Sequence, residues 1–342
     1  MESPARFGVR LGSFMQGPAT MSADLRPPGR GRWLILAAKA LLSLLVLSFV
    51  LSRVDLRGVA GSLAGASRTW LALAFMGFLM IPLLGGIRWW AVLRGLGDRL
   101  PVVPLMIVFS VATMVAQVLP SVAGDGLRVL MVTRKGVPLS RAIHSVFLER
   151  LLMLLALLLV GLATSPLLVN LTGSTGPIWL CLALLAAGAG GIGLLMTADL
   201  LAAGGTGWRF VAALSHVSAD TRRLILSRWG GRLVAISVVS NLYFSLLAWL
   251  LARALALPVT ASDLLAFMPF VTLATVLPIS LGGWGVREGV LIFLLAHVGV
   301  AAPEALALSL LFGALSAVCG IPGLLAWSVG AAGGRKLARE GA

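Results

Sequence analysis

Charged side chains are scarce in this sequence. Only 11% of its 342 residues are Asp, Glu, Lys or Arg, whereas 59% are hydrophobic and the mean hydropathy is +1.02. A soluble domain typically contains about 25% charged residues, so this chain could not cover a surface of ordinary polarity. Disorder is excluded as well, because it requires low hydrophobicity and high charge. The composition therefore predicts an all-α, polytopic integral membrane protein.

Groups that usually mark catalytic or metal chemistry are also few. Cys181 and Cys319 are the only cysteines, and both lie in apolar stretches, which gives no support for a disulfide or a thiolate metal site. The three histidines are scattered, so neither a metal site nor a cofactor is predicted. The sequence contains no Walker A motif, no Asp-rich diphosphate motif and no Ser nucleophile elbow. An ATP-driven pump in one chain is therefore not expected.

Basic residues outnumber acidic ones by 27 to 12, which gives a formal net charge of +15. In a membrane protein such a surplus belongs in cytoplasmic loops, and nucleic acid is the weaker interpretation. The polar segment 1–32 is predicted to be a flexible cytoplasmic tail, and segment 331–342 a second basic cytoplasmic tail. Because Met21 is followed by an ordinary tail-then-span pattern, residues 1–20 are a candidate over-extended start.

Long apolar runs predict about six to eight transmembrane helices within residues 33–330. Six runs are long enough to cross a bilayer: Trp33–Leu51, Thr69–Ile87, Ala142–Ser165, Ile178–Thr197, Leu233–Ala252 and Glu304–Gly330. Two others, Pro101–Pro120 and Leu264–Pro278, run into Pro and then Gly, which break helices. Loop 198–232 mixes basic and apolar residues, which favours an amphipathic helix at the headgroup level; a solvated basic loop is the alternative.

Loop charges favour a re-entrant course for the two broken runs. Segment 120–141 has four basic residues and one acidic residue, and loop 198–232 has five and two, whereas loops 166–177 and 253–263 are neutral. If the first broken run dips into the membrane and returns, both basic segments and both termini face the cytoplasm. The alternative has eight crossings and an outside N-terminus, and it also leaves both basic segments in the cytoplasm.

The two broken runs are followed by similar sequences. Gly124–Arg128 (GDGLR) aligns with Gly283–Arg287 (GWGVR), and the Gly-Val pair at 136–137 aligns with the pair at 299–300. These matches predict an internal repeat with units 101–165 and 264–330. Three spans separate the copies, so re-entrant runs would make the units inverted, a recurrent design of secondary transporters. Chance similarity in a chain rich in Gly, Leu and Val is the alternative.

Charges near these motifs are candidates for binding a lipid headgroup. Arginine forks match phosphate oxygens, and charges inside a span, such as Glu149-Arg150, usually face an interior cavity. The candidate substrate-binding residues are Asp125, Arg128, Glu149, Arg150, Arg287 and Glu288. An ion pair that only locks helices together is the structural alternative for Glu149, and a positive-inside anchor is the alternative for Arg128.

The turns around the charges add backbone and hydroxyl groups. Glycine lets a backbone approach a ligand closely, and amides at a helix start favour an anion. The candidate turn residues are Pro120, Gly124, Gly126, Pro278, Gly283 and Gly285. The secondary candidates are Ser121, His144, Ser145 and Ser280.

Three segments together resemble the lysylphosphatidylglycerol synthase transmembrane-domain family, also called flippase-like domain proteins. They are Leu119–Arg128, Leu148–Arg150 and Leu277–Gly289, and the resemblance covers roughly residues 33–330. It implies a multi-pass protein of the bacterial inner membrane. In the full-length synthases this domain is similar to a flippase that moves aminoacylated phosphatidylglycerol between leaflets, and a C-terminal cytosolic domain attaches the amino acid. These residues contain no such transferase domain, so we expect translocation or lipid handling rather than lysyl transfer.

Three functions remain open. The first is a lipid flippase or lipid-handling permease that moves or binds a phosphate-bearing lipid without its own ATPase. The second is a non-catalytic accessory protein that partners an enzyme of a lipid or glycolipid pathway, such as the hopanoid pathway with which some stand-alone family members are associated. The third is a membrane-embedded lipid phosphatase or headgroup transferase, with Glu149 or Glu288 as acid or base. No dense Ser/Arg/His constellation occurs, so we expect that the protein is not an enzyme.

Overall fold

The structure is a computed structural model that describes residues 48, 52, 54–118, 121–202, 209–276 and 283–328. Within these ranges every regular element is a helix, which confirms the predicted all-α class. Apart from Ser48, the predicted first span Trp33–Leu51 lies outside the described residues, and so do both tails. Three of the candidate residues also fall outside them: Pro120, Pro278 and Ser280.

The described helices follow one another along the chain with short connections. They are α1 (Leu56–Ala64), α2 (Arg68–Phe78), α3 (Ile81–Leu96), α4 (Val102–Val118), α5 (Ser121–Thr133), α6 (Leu139–Thr172), α7 (Gly176–Ala202), α8 (Arg209–Ile225), α9 (Arg228–Ala254), α10 (Ala261–Val276), α11 (Val286–Ala296) and α12 (Ala302–Val318). Helix α8 lies within the loop 198–232 for which an amphipathic helix was predicted.

Five segments are long and apolar enough to cross a membrane: Arg68–Leu96, Leu139–Thr172, Gly176–Thr197, Arg228–Ala254 and Ala302–Ser328. Each overlaps one predicted span, which confirms a polytopic membrane protein. The first of them combines α2 and α3 and extends well beyond the predicted end at Ile87. Residues 88–96, predicted to be part of a loop, are therefore helical.

The first broken run forms an antiparallel hairpin of α4 and α5. These helices have 17 and 13 residues, or about 25 and 20 Å, whereas the hydrocarbon core is about 30 Å thick. A Cβ at Gly124 would lie 2.4 Å from the carbonyl oxygen of Ala112, and Arg128 lies over the ring of Phe109 at 4.7 Å. The two helices are therefore antiparallel, so the chain turns back on itself in this hairpin.

The second broken run repeats this order, with α10 and α11 followed by the long segment that begins with α12. The turn after each hairpin is the same. Gly136 and Gly299 are left-handed, with φ of +89° and +76°. In each copy the glycine amide donates to the carbonyl three residues earlier, and the next valine amide donates to the carbonyl five residues earlier, at 3.0 to 3.2 Å. These are the Gly-Val pairs aligned in the sequence, so the similarity extends to the backbone.

Contacts between loops define the two ends of the helix assembly. At one end the amide of Ser67 donates to the carbonyl of Ala254 at 2.7 Å. At the other end Arg141 approaches Asp98, with 3.4 Å between Nη1 and Oδ1. We call this second end the basic end, because it gathers Arg94, Arg99, Arg134, Arg141, Arg223 and Arg228. By the distribution of loop charges it is the end expected to face the cytoplasm.

The buried apolar core has three parts, and the smallest packs α3, α6, α8 and α9 together. The largest part packs α9, α10, α11 and α12 together around Phe267. A second part packs α3, α4, α5 and α6 around Trp89, which is fully buried. Phe109, which packs against this part, also lines the charged cavity described next.

Candidate functional site

A cavity of about 150 Å³ lies between α3, α4, α5, α6 and α9. Its charged lining consists of Arg88 from α3, Arg128 from α5, and Glu149 and Arg150 from α6. The chain thus brings together three of the candidate residues, and Asp125 contacts two of them. One further arginine, Arg88, was not predicted.

The cavity lies deep within the helix assembly. Arg88 precedes the end of α3 at Leu96 by eight residues, and Glu149 follows the start of α6 at Leu139 by ten. At 1.5 Å per residue these separations correspond to about 12 and 15 Å from the basic end. A hydrocarbon core of about 30 Å therefore places the cavity near the middle of the membrane.

Glu149 pairs with two arginines from other helices. Its Oε1 accepts a hydrogen bond from Arg88 Nε at 2.6 Å and also contacts Arg88 Nη2. Its Oε2 accepts from Arg128 Nη2 at 3.0 Å. All three side chains are almost fully buried. Charges in such surroundings persist only when they are paired, so this carboxylate stabilises both guanidinium groups.

Arg150 forms its ion pair with Asp125 rather than with the adjacent Glu149. Its Nε donates to Asp125 Oδ2 at 2.6 Å. Asp125 Oδ1 lies 3.4 Å from Nη1 of Arg128, so Asp125 bridges the two arginines. The Arg150 side chain is 49% exposed, which makes it the most accessible charge of the cluster.

The cluster carries an unbalanced positive charge. Three guanidinium groups face two carboxylates, so one positive charge lacks a counter-charge among the described residues. The Nε of Arg128 is buried and has no hydrogen-bond partner among these residues. The cluster therefore has the capacity for one further anionic charge.

Aromatic rings fix the position of Arg128. Its guanidinium lies over the ring of Trp89 at 4.5 Å and over that of Phe109 at 4.7 Å. Trp89 Nε1 donates to Ser145 Oγ at 3.2 Å, and Ser145 Oγ donates to the carbonyl of Ala142 at 2.8 Å. The candidate Ser145 therefore acts on the site through Trp89 and does not line the cavity.

His144 lies outside the cavity. Its Nε2 is 3.3 Å from Thr221 Oγ1, and its Nδ1 is 3.7 Å from a carboxylate oxygen of Asp220. These contacts join α8 to α6. Ser121 begins α5, where its backbone alone is described.

In the second unit the charged side chains pair with each other and with the start of their own helix. Glu288 Oε2 accepts from the amide of Gly285 at 2.6 Å, while Oε1 accepts from Arg287 Nη2 at 2.8 Å and from Ser309 Oγ at 2.9 Å. Arg287 also lies over the ring of Trp284 at 4.8 Å. Glu288 is fully buried and Arg287 nearly so. This network closes the start of α11, and it does not line the cavity of the first unit.

The candidate turn glycines also differ in their surroundings. Gly283 and Gly285 have φ of +80° and +87°, a region that side chains disfavour, so the tight turn before α11 requires them. Gly124 and Gly126 lie inside α5, so the turn predicted for them is wrong, and Gly124 instead allows α5 to approach the backbone of α4 closely. A Cβ at Gly126 would meet nothing within 4 Å, so that glycine fills no packing requirement.

Sequence reasoning missed Arg88 because it ended the span one residue earlier. The signal was present in the residues that follow. Ala91, Val92 and Leu93 are apolar and fully buried, and they continue the helix to Leu96. An arginine followed by another two turns of apolar helix is a charge inside a span and not a loop residue.

No group of three or more His, Cys, Asp or Glu side chains among the described residues is arranged to hold a metal ion. The charged cavity is instead dominated by arginine, whose guanidinium binds carboxylates and phosphates rather than cations.

These features define the class: a polytopic helical membrane protein with a helical hairpin and a charged cavity near its midplane. Residues 36–323 match the family described as the lysylphosphatidylglycerol synthase TM region, and the chain belongs to that family, as the sequence motifs predicted. A search among curated proteins found no match to the chain. Family membership indicates a lipid-related, flippase-like role in the membrane.

Proposed function

We propose that the protein is a lipid flippase or lipid-handling permease, without its own ATPase, that binds the phosphate of a membrane lipid in the midplane cavity. The observation that carries the proposal is the unbalanced charge of the cluster. Arg88, Arg128 and Arg150 face only Glu149 and Asp125. A lipid phosphodiester supplies one negative charge, which is the charge needed to neutralise the cluster.

The size of the cavity fits a headgroup phosphate. At about 150 Å³ it is smaller than the roughly 300–1,000 Å³ of pockets that enclose a whole drug-sized ligand. A phosphate group can therefore enter while the acyl chains stay in the surrounding lipid. Guanidinium forks suit this group because they donate two parallel hydrogen bonds to its oxygens.

We infer the order in which a phosphate would contact the arginines from how exposed each side chain is. Arg150 is half exposed and meets an incoming phosphate first, whereas Arg88 and Arg128 are held by Glu149 until a phosphate replaces part of that pairing. The two matching units supply the elements for alternating access, which in secondary transporters is a movement of one repeat against the other. The cavity near the midplane would then open toward one leaflet at a time.

The hydroxyl groups of the cavity favour binding over catalysis. Thr113, Ser240 and Tyr243 line it, and each donates its hydrogen bond to a backbone carbonyl at 2.8 to 2.9 Å. A nucleophile would need a base as its acceptor instead. We therefore propose that the lipid leaves the cavity chemically unchanged.

The test is a translocation assay in vesicles. Purified protein is reconstituted with fluorescently labelled phosphatidylglycerol, and an impermeant reductant bleaches the label in the outer leaflet. Arg128→Gln removes a cavity charge, whereas the control Arg134→Gln removes an exposed charge near the end of the same helix. We expect Arg128→Gln to slow translocation about tenfold, the loss expected for one charged hydrogen bond, and Arg134→Gln to keep the wild-type rate.

Because a buried substitution can impair folding, Arg150→Gln provides a second variant at a half-exposed position. This variant should also translocate the labelled lipid more slowly than wild type. Protein-free vesicles that match the wild-type rate, or folded Arg128→Gln and Arg150→Gln variants that match it, would exclude the proposal.

A further inference from the structure

A second cavity, of about 400 Å³, opens at the basic end. It is lined by four arginines and two tryptophans: Arg94, Arg99, Arg223, Arg228, Trp90 and Trp229. We propose that this cavity is a separate binding site for a phosphate-bearing anion, either the headgroup of an anionic lipid or a soluble phosphate ester. Its volume lies within the range of about 300–1,000 Å³ typical of ligand pockets.

Among the described residues, the four arginines lack counter-charges. None of them forms an ion pair with any residue that the structure describes. The nearest acidic residue in the sequence, Asp98, is directed to Arg141 instead, at 3.4 Å. Several like charges around one concave surface create a strong positive potential, which an anion relieves.

The tryptophans make one wall of the cavity rigid. Trp90 and Trp229 meet edge to face, with ring centroids 5.7 Å apart at an angle of 89°. Trp90 Nε1 donates to the carbonyl of Leu100 at 3.1 Å, which fixes the loop that carries Arg99. Arg94 lies over the Trp90 ring at 5.5 Å. The guanidinium of Arg94 thus lies against a fixed aromatic pair, and the same pair holds the backbone next to Arg99.

Gly97 leaves room for the side chain of a third arginine, Arg223. Its φ is +102°, and a Cβ built there would lie 3.2 Å from Nη2 of Arg223. The neighbouring Leu224 is fully buried and packs against Gly95, which anchors this end of α8 to α3. The glycine therefore lets Arg223 lie directly over the backbone at the cavity mouth.

The position of the cavity matches the membrane surface. Arg94 lies in the last turn of α3, and Arg228 is the first residue of α9, so the site lies where two candidate spans meet the basic end. Tryptophan is enriched at this level of a membrane protein. Arg88, in the midplane cavity, is six residues from Arg94 on the same helix, or about 9 Å deeper. The two cavities are therefore distinct, and this inference does not depend on the proposed translocation.

Isothermal titration calorimetry on the purified full chain in a non-ionic detergent tests the site. The probes are short-chain phosphatidylglycerol, short-chain phosphatidylcholine and glycerol 3-phosphate. Arg223→Gln/Arg228→Gln removes two charges from the cavity, while Arg57→Gln/Arg134→Gln removes two exposed charges elsewhere. All these variants keep the midplane cavity unchanged, so its contribution is common to every titration.

We expect wild-type protein to bind phosphatidylglycerol more tightly than phosphatidylcholine. The first double variant should weaken this binding about tenfold per lost arginine, and the control should bind like wild type. Glycerol 3-phosphate that binds as tightly as phosphatidylglycerol, and is weakened by the same variant, identifies a soluble phosphate ester as the ligand. If only the lipid binds, the ligand is a headgroup.

Arg223→Lys/Arg228→Lys keeps the charges but removes the planar forks. It should bind with intermediate affinity, and it provides a folded reference if the glutamine variant is unstable. Phosphatidylglycerol affinity that is equal in the wild type and both cavity variants, or that falls equally in the control, would overturn the proposal.

Discussion

Arg88 and Glu149 are 61 residues apart in the sequence, yet they form a buried ion pair in which Arg88 Nε donates to Glu149 Oε1 at 2.6 Å. The same carboxylate accepts from Arg128 at 3.0 Å. One acidic residue on α6 therefore connects α3 and α5. The shape of the midplane cavity depends on this connection, because both guanidinium groups would repel each other without it.

Glu149→Gln should destabilise the fold strongly. Among the described residues, Glu149 is the carboxylate that pairs with both arginines, so the substitution leaves Arg88 buried without a counter-charge and Arg128 with the longer contact to Asp125 alone. Breaking a buried pair by removing one partner typically costs about 3–5 kcal/mol. We expect a clear decrease in the midpoint of thermal unfolding of the purified protein in detergent.

A second substitution separates charge from packing. Arg88→Met removes the other member of the pair while keeping an unbranched side chain of similar length. The double variant Arg88→Met/Glu149→Gln should lose less stability than the two single variants added together, because fewer unpaired charges remain. Strictly additive losses in this double-mutant cycle would show that the pair is not coupled.

Local features of this site could be predicted from the sequence, but its cross-helix partners could not. Glu149 stood out because a carboxylate inside an apolar span is unusual, and the Gly-Val turns stood out because their geometry depends on adjacent residues. The partner of Glu149 comes from a helix 61 residues away. A single sequence carries no signal for which helix faces which.

The difference between the two units illustrates the same limit. Both copies place an arginine and a carboxylate near a Gly-x-Gly motif, so the sequence predicts similar sites. In the second copy Ser309, 21 residues along the chain, donates to Glu288 at 2.9 Å and helps to close the network. That contact is set by how α12 packs on α11, which the motif itself does not determine.

The two glycines of the first motif should respond differently to alanine. A Cβ at Gly124 would lie 2.4 Å from a backbone oxygen of α4, so Gly124→Ala forces the hairpin apart. Gly126 has nothing within 4 Å of its position, and alanine there should stabilise the helix by roughly 0.5–1 kcal/mol. Thermal unfolding in detergent should place Gly124→Ala below wild type and Gly126→Ala at or above it. Equal melting of the two variants would contradict the packing of α4 on α5.

A second pair of glycine substitutions tests the network of Arg287 and Glu288 in the second unit. A Cβ at Gly313 would lie 2.3 Å from Nη2 of Arg287, whereas a Cβ at Gly289 would meet nothing within 4 Å. Gly313→Ala should displace the arginine from Glu288 and lower the unfolding midpoint. Gly289→Ala, in the adjacent helix, serves as the control and should unfold at or above the temperature of wild type. A Gly313→Ala variant as stable as the control would show that Arg287 is not confined.

Ser145 should stabilise the site through Trp89. Its Oγ accepts the only hydrogen bond described for Trp89 Nε1, at 3.2 Å, and both residues are fully buried. Ser145→Ala leaves that indole donor unsatisfied, which typically costs about 1–3 kcal/mol. The unfolding midpoint should fall, and the fluorescence of Trp89 should change as its ring loses a fixed position against Arg128.

Ser237→Ala is the matched control for this last prediction. Ser237 is also fully buried in a helix, but its Oγ has no hydrogen-bond partner among the described residues. Removing an unsatisfied hydroxyl relieves a desolvation penalty, and alanine is the better helix former. Ser237→Ala should therefore be as stable as wild type or more so. If Ser145→Ala and Ser237→Ala unfold at the same temperature, the bond between Ser145 and Trp89 contributes nothing to the stability of the site.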